Sequence, residues 1–361
     1  MILSHRLGWI GVDIGTRTVK LAQALRSPEG VRLHNAAVVQ RATPWPDEDG
    51  FGLGEPDRSD AEIRAALECG GFAGRSAACL LPMNVCELRG LNVPHGDERE
   101  RRAMIANELA EDWAERSAAM EFDYWELAAD RDSPTVDGFN INVLAVARPW
   151  INRVSTDCQQ ARLDCWAVDG GPLATARAVG LAANLRGSAR ALAIDWGFSN
   201  VTLSIVGGDR ALYVRRIQHC GFQKCLESIQ AALGISLDQA QHLASTEGVV
   251  PPDSDRGGRM EIQAAITAAV ADTIDALVQQ VSRTQQFVEL QRRHLRPTSV
   301  WLLGGGASLR NIGPHLSTAL NLPVSIWELP LAPSAGCQLR HGQAALFAGA
   351  VALSALAWRA A

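Results

Sequence analysis

Trp9-Ile-Gly-Val-Asp-Ile-Gly-Thr-Arg-Thr-Val-Lys-Leu-Ala-Gln-Ala-Leu25 is an apolar run that stops at Asp13-Ile-Gly and returns with alternating polarity. That pattern predicts a β-hairpin with glycine at its turn. Ala191-Leu-Ala-Ile-Asp-Trp-Gly197 repeats it halfway along the chain, followed by strand-like Val201 to Val206 and Leu212 to Ile217 around a Gly207-Gly-Asp209 turn. Glycine lets backbone N–H groups approach an anion unobstructed, and a run of such donors forms a concavity for phosphate. The neighbouring carboxylates, Asp13 and Asp195, suit a different task, which is to hold the water shell of a magnesium ion.

Each hairpin adds polar groups beside its turn. Thr16, Arg17 and Lys20 follow the first, and Lys20 on the return strand offers a point charge to a phosphate or reads as a surface lysine. Ser199, Asn200 and Thr202 follow the second. A third element, Val300-Trp-Leu-Leu303, runs as a buried strand into Gly304, Gly305, Gly306 and Ser308, ahead of a helical stretch from Ile312 to Leu320. Such a turn admits a flat base or ribose, or is simply a tight strand-to-helix connection.

Between these motifs lie other readable elements. A third strand follows at Val31 to Arg41, a Pro- and Gly-rich loop at Pro44 to Pro56, and a helix from about Asp60. Asp97 and Glu100 form a capping-box pair, and Ile105, Leu109 and Trp113 line one face of the helix they start. Phe139 to Ala147 is the closing strand of that small unit. From Ile262 to Val281 apolar residues keep helical spacing, in a helix that Pro297 terminates. The apolar run Ala344 to Trp358 is too short to span a bilayer and reads as a core helix.

The 361 residues suffice for two domains, and 47% apolar with 20% charged residues is the balance of a globular protein. A net charge of −5 makes nucleic acid a poor partner. The start of the chain has no secretory pattern, which points to the cytoplasm. Eight cysteines without a Cys-x-x-Cys pair, and histidines without ligand spacing, predict reduced buried thiols and no structural metal.

Two aspartate hairpins and a glycine turn in this order resemble the superfamily of actin, heat-shock chaperones and sugar kinases. Within it the chain is similar to PilM proteins over nearly its whole length. The likeness includes Leu81-Pro, Phe122-Asp-Tyr124, Val143-Leu-Ala-Val-Ala-Arg148, Leu163-Asp-Cys-Trp-Ala-Val-Asp169, Ala174-Thr-Ala-Arg177 and Ser282-Arg-Thr-Gln-Gln-Phe287. The resemblance implies an α/β, actin-like (ribonuclease H-like) bilobal fold, with duplicated lobes around a nucleotide cleft and a small inserted α+β subdomain. The implied subdomains are 1–82 and 151–190 (1A), 83–150 (the insertion), 191–230 and 297–340 (2A), 231–296 (2B), and a C-terminal helix at 341–361 packing back on 1A.

It also implies ATP and Mg bound by Asp13, Gly15, Thr16, Arg17, Lys20, Asp195, Gly197, Ser199, Asn200, Thr202, Gly304, Gly305, Gly306 and Ser308. Asp13, Asp195 and Asp169 are catalytic candidates for what is at most a weak ATPase, and Asp169 equally fits a helix cap near Pro172. The implied partner is the cytoplasmic tail of a PilN-like membrane protein, with PilO-like and motor components beyond it. The implied location is the inner face of the cytoplasmic membrane, reached through partners. Departures from the family pattern fall at Gln241 and Ala244, where an acid and a lysine would face the ribose and base, at Gly171 in place of an acid, and at bulky Phe198. A nucleotide-free scaffold of the same fold, a small-molecule kinase, and an FtsA-like division protein are the alternatives. The kinase lacks a placed general base, and FtsA proteins end in a basic amphipathic helix.

Overall fold

A computed structural model describes residues 6–43, 58–113, 120–127, 141–183, 189–251, 260–335, 337, 339 and 343–359. The expected loop at Pro44 to Pro56, the first residues of the Phe139 strand and the Trp113 side chain lie outside the described residues.

The first lobe opens with β1 (Arg6–Leu7), β2 (Ile10–Ile14), β3 (Thr18–Ser27), β4 (Gly30–Gln40), α1 (Asp60–Glu68) and β5 (Ser76–Leu81). An inserted unit follows, of β6 (Cys86–Leu91), α2 (Glu98–Trp113), β7 (Met120–Glu126) and β8 (Ile141–Ala147). The chain then returns through α3 (Arg148–Gln160), β9 (Asp164–Gly170) and α4 (Gly171–Ala182). In the first sheet β3 pairs antiparallel with β4 on one side and with β2 and the short β1 on the other. β2, β5 and β9 continue as a parallel set. All five residues of β2 are buried, as expected for a strand covered on both faces.

The second lobe contains β10 (Ala191–Trp196), β11 (Val201–Gly207), β12 (Arg210–Ile217), α5 (Phe222–Leu233), α6 (Leu237–Thr246), α7 (Met260–Gln291), β13 (Ser299–Leu303), α8 (Ile312–Leu320) and β14 (Val324–Ile326). Its sheet runs β12-β11-β10-β13-β14, antiparallel in the first two pairings and parallel in the last two. This repeats β4-β3-β2-β5-β9 strand for strand, so the lobes are duplicated, as the two hairpins predicted. Ile262 was expected on the buried face of α7 but is 48% exposed, because it stands in the first turn, ahead of Ile266 where packing begins.

The insertion forms a three-stranded sheet of order β6-β8-β7, with Ile105 and Leu109 of α2 packed on Met120, Ile141, Val143 and Ala145. The anticipated capping box closes its helix: the Glu100 N–H donates to Asp97 at 2.8 Å, and the Asp97 N–H to Glu100 at 2.9 Å. β8 closes the unit in sequence, as expected, and lies between its two partners as the central strand.

The apolar C-terminal run becomes α9 (Ala348–Ser354), flanked by 3₁₀ turns, and packs on β2, β3, β5 and α4. Close approach explains two glycines here. A Cβ on Gly11 would lie 1.8 Å from the Ala350 carbonyl oxygen, and one on Gly8 would lie 2.4 Å from Ser354 Oγ. Ser354, the polar interruption of that run, accepts from the Ala24 N–H at 2.9 Å. α4 also touches both sheets, and the buried Trp327 indole donates to its Ala178 carbonyl at 2.8 Å. The lobes therefore meet across α4 and across the 3₁₀ turn Gln343–Phe347 ahead of α9, which touches both β3 and β13, below a cleft.

Candidate functional site

The turns of both aspartate hairpins open into one cavity of about 400 Å³ between the lobes, within the range of small-molecule sites. Register makes the hairpins equivalent. Asp13 stands opposite Lys20 in β2–β3, and Asp195 opposite Thr202 in β10–β11. Each aspartate also pairs with the parallel strand behind it, Asp13 with Leu80 and Asp195 with Leu303. Both carboxylates therefore occupy the carboxyl ends of strands, where open α/β sheets bind ligands.

Lys20 Nζ donates to Asp13 at 2.6 Å, in a pair that is nearly closed to solvent. Burial pushes the Asp195 carboxyl up to about 6; the Asp13 charge adds to that, and Lys20 opposes it. Two carboxylates facing one space, with a single ammonium between them, leave a net negative centre suited to a divalent cation. Around it, Gly15 and Gly197 bring backbone close to the cavity, as do Thr16, Ser199, Asn200 and Thr202. Ser199 Oγ and Arg17 Nη1 are buried without a hydrogen-bond partner, so both retain donor capacity for a ligand.

Arg17 crosses the cleft. Its guanidinium lies 5.2 Å from the centre of the Phe198 ring and donates to Asp238 of α6 at 2.9 Å. Phe198, the bulky departure from the family pattern, thus serves as a platform for that cation.

The glycine turn divides in two. Gly304 (φ 80°), Gly305 and Ser308 line the cavity, and a Cβ on Gly304 would lie 2.6 Å from Asp195. Gly306 does not line it: its Cα faces the Trp196 ring, where a Cβ would come within 2.2 Å. A short 3₁₀ turn, Gly305–Ser308, separates this segment from α8, so the start of α8 does not border the cleft.

Gln241 faces the cavity, whereas Ala244 is fully buried in the second-lobe core and Ser245 lines the wall instead. One residue turns a helix face by about 100°, which moves Ala244 out of the site. Asp169 is also elsewhere. Its carboxylate accepts from Arg177 Nη1 at 2.8 Å and from the Gly170 N–H at 2.8 Å, and it does not line the cleft. Nor does it cap α4, which has no side-chain cap.

The sequence reading missed part of the wall. Gln343, Ala345, Leu346 and Gly349, at and before the start of α9, line the cavity, and a Cβ on Gly349 would lie 3.4 Å from Asp13. The one available signal was a glycine inside an otherwise bulkier apolar run.

The family model described as type IV pilus assembly protein PilM matches residues 11–354. Among solved structures, the chain is similar to one described as a PilM-PilN type IV pilus biogenesis complex, at 21% identity, with 97% of this chain and 98% of that chain covered and a TM-score of 0.72. It is also similar to the ethanolamine utilization protein EutJ from Carboxydothermus hydrogenoformans, at 14% identity over 98% of this chain and 91% of that one, with a TM-score of 0.53.

Proposed function

Given that the chain belongs to the PilM family of type IV pilus assembly proteins and has an actin-like fold, we propose that it binds ATP with Mg²⁺ in the interlobe cleft and acts as a scaffold that clasps the cytoplasmic tail of a PilN-like membrane protein. The observation that carries this reading is the convergence of two equivalent aspartate hairpins and the Gly304–Gly305 turn on one cavity.

The residues present fit such a ligand. Gly15, Thr16, Gly197, Ser199, Asn200 and Thr202 would hold phosphates, with Lys20 and Arg17 supplying charge, while Gly304, Gly305 and Ser308 would border the nucleoside. Asp13 and Asp195 would hold Mg²⁺ through water, and the ion would there neutralise phosphate charge. No carboxylate at the cleft stands apart from that ion site as a general base among the described residues, which supports weak turnover at most.

Titration calorimetry with ATP and Mg²⁺ tests the cleft: binding that Asp13→Ala abolishes is expected. A second reading, a nucleotide-free scaffold, draws support from Gln241 standing where an acid belongs. Absence of heat with the wild-type chain would select it. The partner half of the proposal is tested by copurification with PilN-like and PilO-like proteins. Capture is expected to vanish when the PilN-like tail is deleted, and capture that survives overturns the clasp. Among the described residues no helix is long and apolar enough to cross a membrane, so attachment at the inner face of the cytoplasmic membrane would rest on that partner, as would contact with motor components.

A further inference from the structure

Cys79, Cys158 and Cys165 come from β5, α3 and β9 and meet beneath the first sheet, although 79 and 7 residues separate them along the chain. Neighbouring residues on a strand point to opposite faces. Leu80 lines the cleft, so Cys79 points away from it, toward α3. Cys165 stands opposite Ala77 and leaves the sheet on the same face as Cys79. Cys158 completes the group from the last turns of α3. The sulfurs of Cys79 and Cys158 are 3.1 Å apart, those of Cys165 and Cys79 are 3.8 Å apart, and all three lie within 4.8 Å of one another.

We propose that these three thiols form a metal site for a thiophilic cation, Zn²⁺. Zinc–sulfur bonds of about 2.3 Å require ligand sulfurs about 3.8–4.0 Å apart in tetrahedral or trigonal geometry. The observed separations bracket that spacing, so each sulfur need move by less than about 1 Å. An all-sulfur ligand set selects soft ions over Mg²⁺ or Ca²⁺. Three thiolates around a divalent ion leave one net negative charge, against two for a monovalent ion, and the apolar core that holds these cysteines favours the smaller charge. Cys79 and Cys158 are closed to solvent while Cys165 is only half-buried, which gives the ion an entry path and leaves room for water as a fourth ligand. The ligands tie two strands to the helix that covers them, so the ion would brace the first lobe from the side opposite the cleft.

The test uses the full chain, reduced with a phosphine, stripped with a chelator and titrated with Zn²⁺ against a chromophoric competitor. One zinc per wild-type chain is expected, with the same affinity in a Cys69→Ser control, because Cys69 is exposed and lies outside the group. Cys165→Ser and Cys79→Ala are each expected to weaken binding by more than about 100-fold, since losing a direct ligand costs more than losing an outer-shell partner. The metal-free melting temperature of Cys165→Ser should match that of the metal-free wild type. Should either variant fold poorly, alkylation of the wild type followed by mass spectrometry supplies the answer. Zinc should protect half-buried Cys165 and leave exposed Cys69 reactive. A wild-type chain that binds no zinc, equal affinity in Cys165→Ser, or unchanged alkylation of Cys165 overturns the proposal.

Discussion

Asp195 holds its proton up to about pH 6, above the 3.8 of an ordinary aspartate, because it is buried and faces Asp13. Between those values the folded chain binds more protons than the unfolded one, so without a cation this residue makes the protein lose stability as pH rises through that window. A divalent cation reverses the preference and favours the ionised form. Its affinity should therefore drop as pH falls below about 6, by up to about tenfold per unit for one linked proton. Calorimetry with Mg²⁺ and nucleotide at a series of pH values measures this, and Asp195→Asn should flatten the profile. Glycines supply a second prediction. Gly11→Ala would put a methyl group 1.8 Å from the Ala350 carbonyl, and Gly306→Ala would put one 2.2 Å from the Trp196 ring, whereas a Cβ on Gly208 meets nothing within 4 Å. The first two should each cost about 3 kcal/mol or more by overpacking, and Gly208→Ala only about 1 kcal/mol for its left-handed backbone, as read by denaturant unfolding. Gly306 also marks a limit of the sequence. A glycine that admits a ligand and one that admits a tryptophan ring are written alike, and only the fold tells them apart. Asp13, Lys20, Asp195 and Thr202 were legible because each pair sits in one hairpin, a few residues apart.

Helix α6 brings two interactions of different weight to the cleft. Ser236 accepts from the Gln239 N–H, and Gln239 in return accepts from the Ser236 N–H, in a full capping box. Ser236→Ala should cost about 1 kcal/mol. The Arg17–Asp238 bridge joins the lobes, yet Asp238 is 74% exposed, so Asp238→Ala should change stability by less than about 0.5 kcal/mol. Its effect belongs to ligand binding. Released from Asp238, Arg17 keeps its place over Phe198 and becomes available to an anion, so Asp238→Ala should tighten triphosphate binding while Arg17→Ala weakens it. Equal affinities in both variants would remove Arg17 from the site. Elements of this kind, with a cap, a turn and one apolar face, were legible because their signals are local. The central position of β8 was not, since pairing with β6 and β7 is decided by contacts that cross the whole insertion. Nor was the cleft-lining role of the segment before α9: an apolar run reports burial, but not which sheet it is buried against.

The lobes repeat each other in strand order and in the position of the aspartate, yet they are joined by α4 and the turn Gln343–Phe347 rather than by a continuous sheet. The insertion adds a further tie. Its Trp125 indole donates to the Ala211 carbonyl of β12 at 2.7 Å, and Arg216 of β12 donates to the Met83 carbonyl at 3.2 Å. A ligand seated between the hairpins would therefore act on two bodies with few direct bonds between them, and the pattern of protection it leaves shows which of them hold it. Amide exchange slows where a ligand suppresses local opening. Nucleotide gripped as proposed should protect β2–β3 and β10–β11 to similar degrees, together with the Gly304 turn, whose N–H already donates to the Ala345 carbonyl at 3.0 Å. Protection confined to the first hairpin would mean that one lobe binds alone and the duplicated aspartate has no share in the ligand. Because β12 bonds to the insertion, closure should also slow exchange in β7, some distance from any phosphate. Trp125→Phe keeps most of the ring's packing but removes its donor, so it should leave protection at both hairpins intact and abolish the slowing in β7. If β7 still slows in that variant, closure reaches the insertion by another route, with Arg216 and Met83 the next contact to cut.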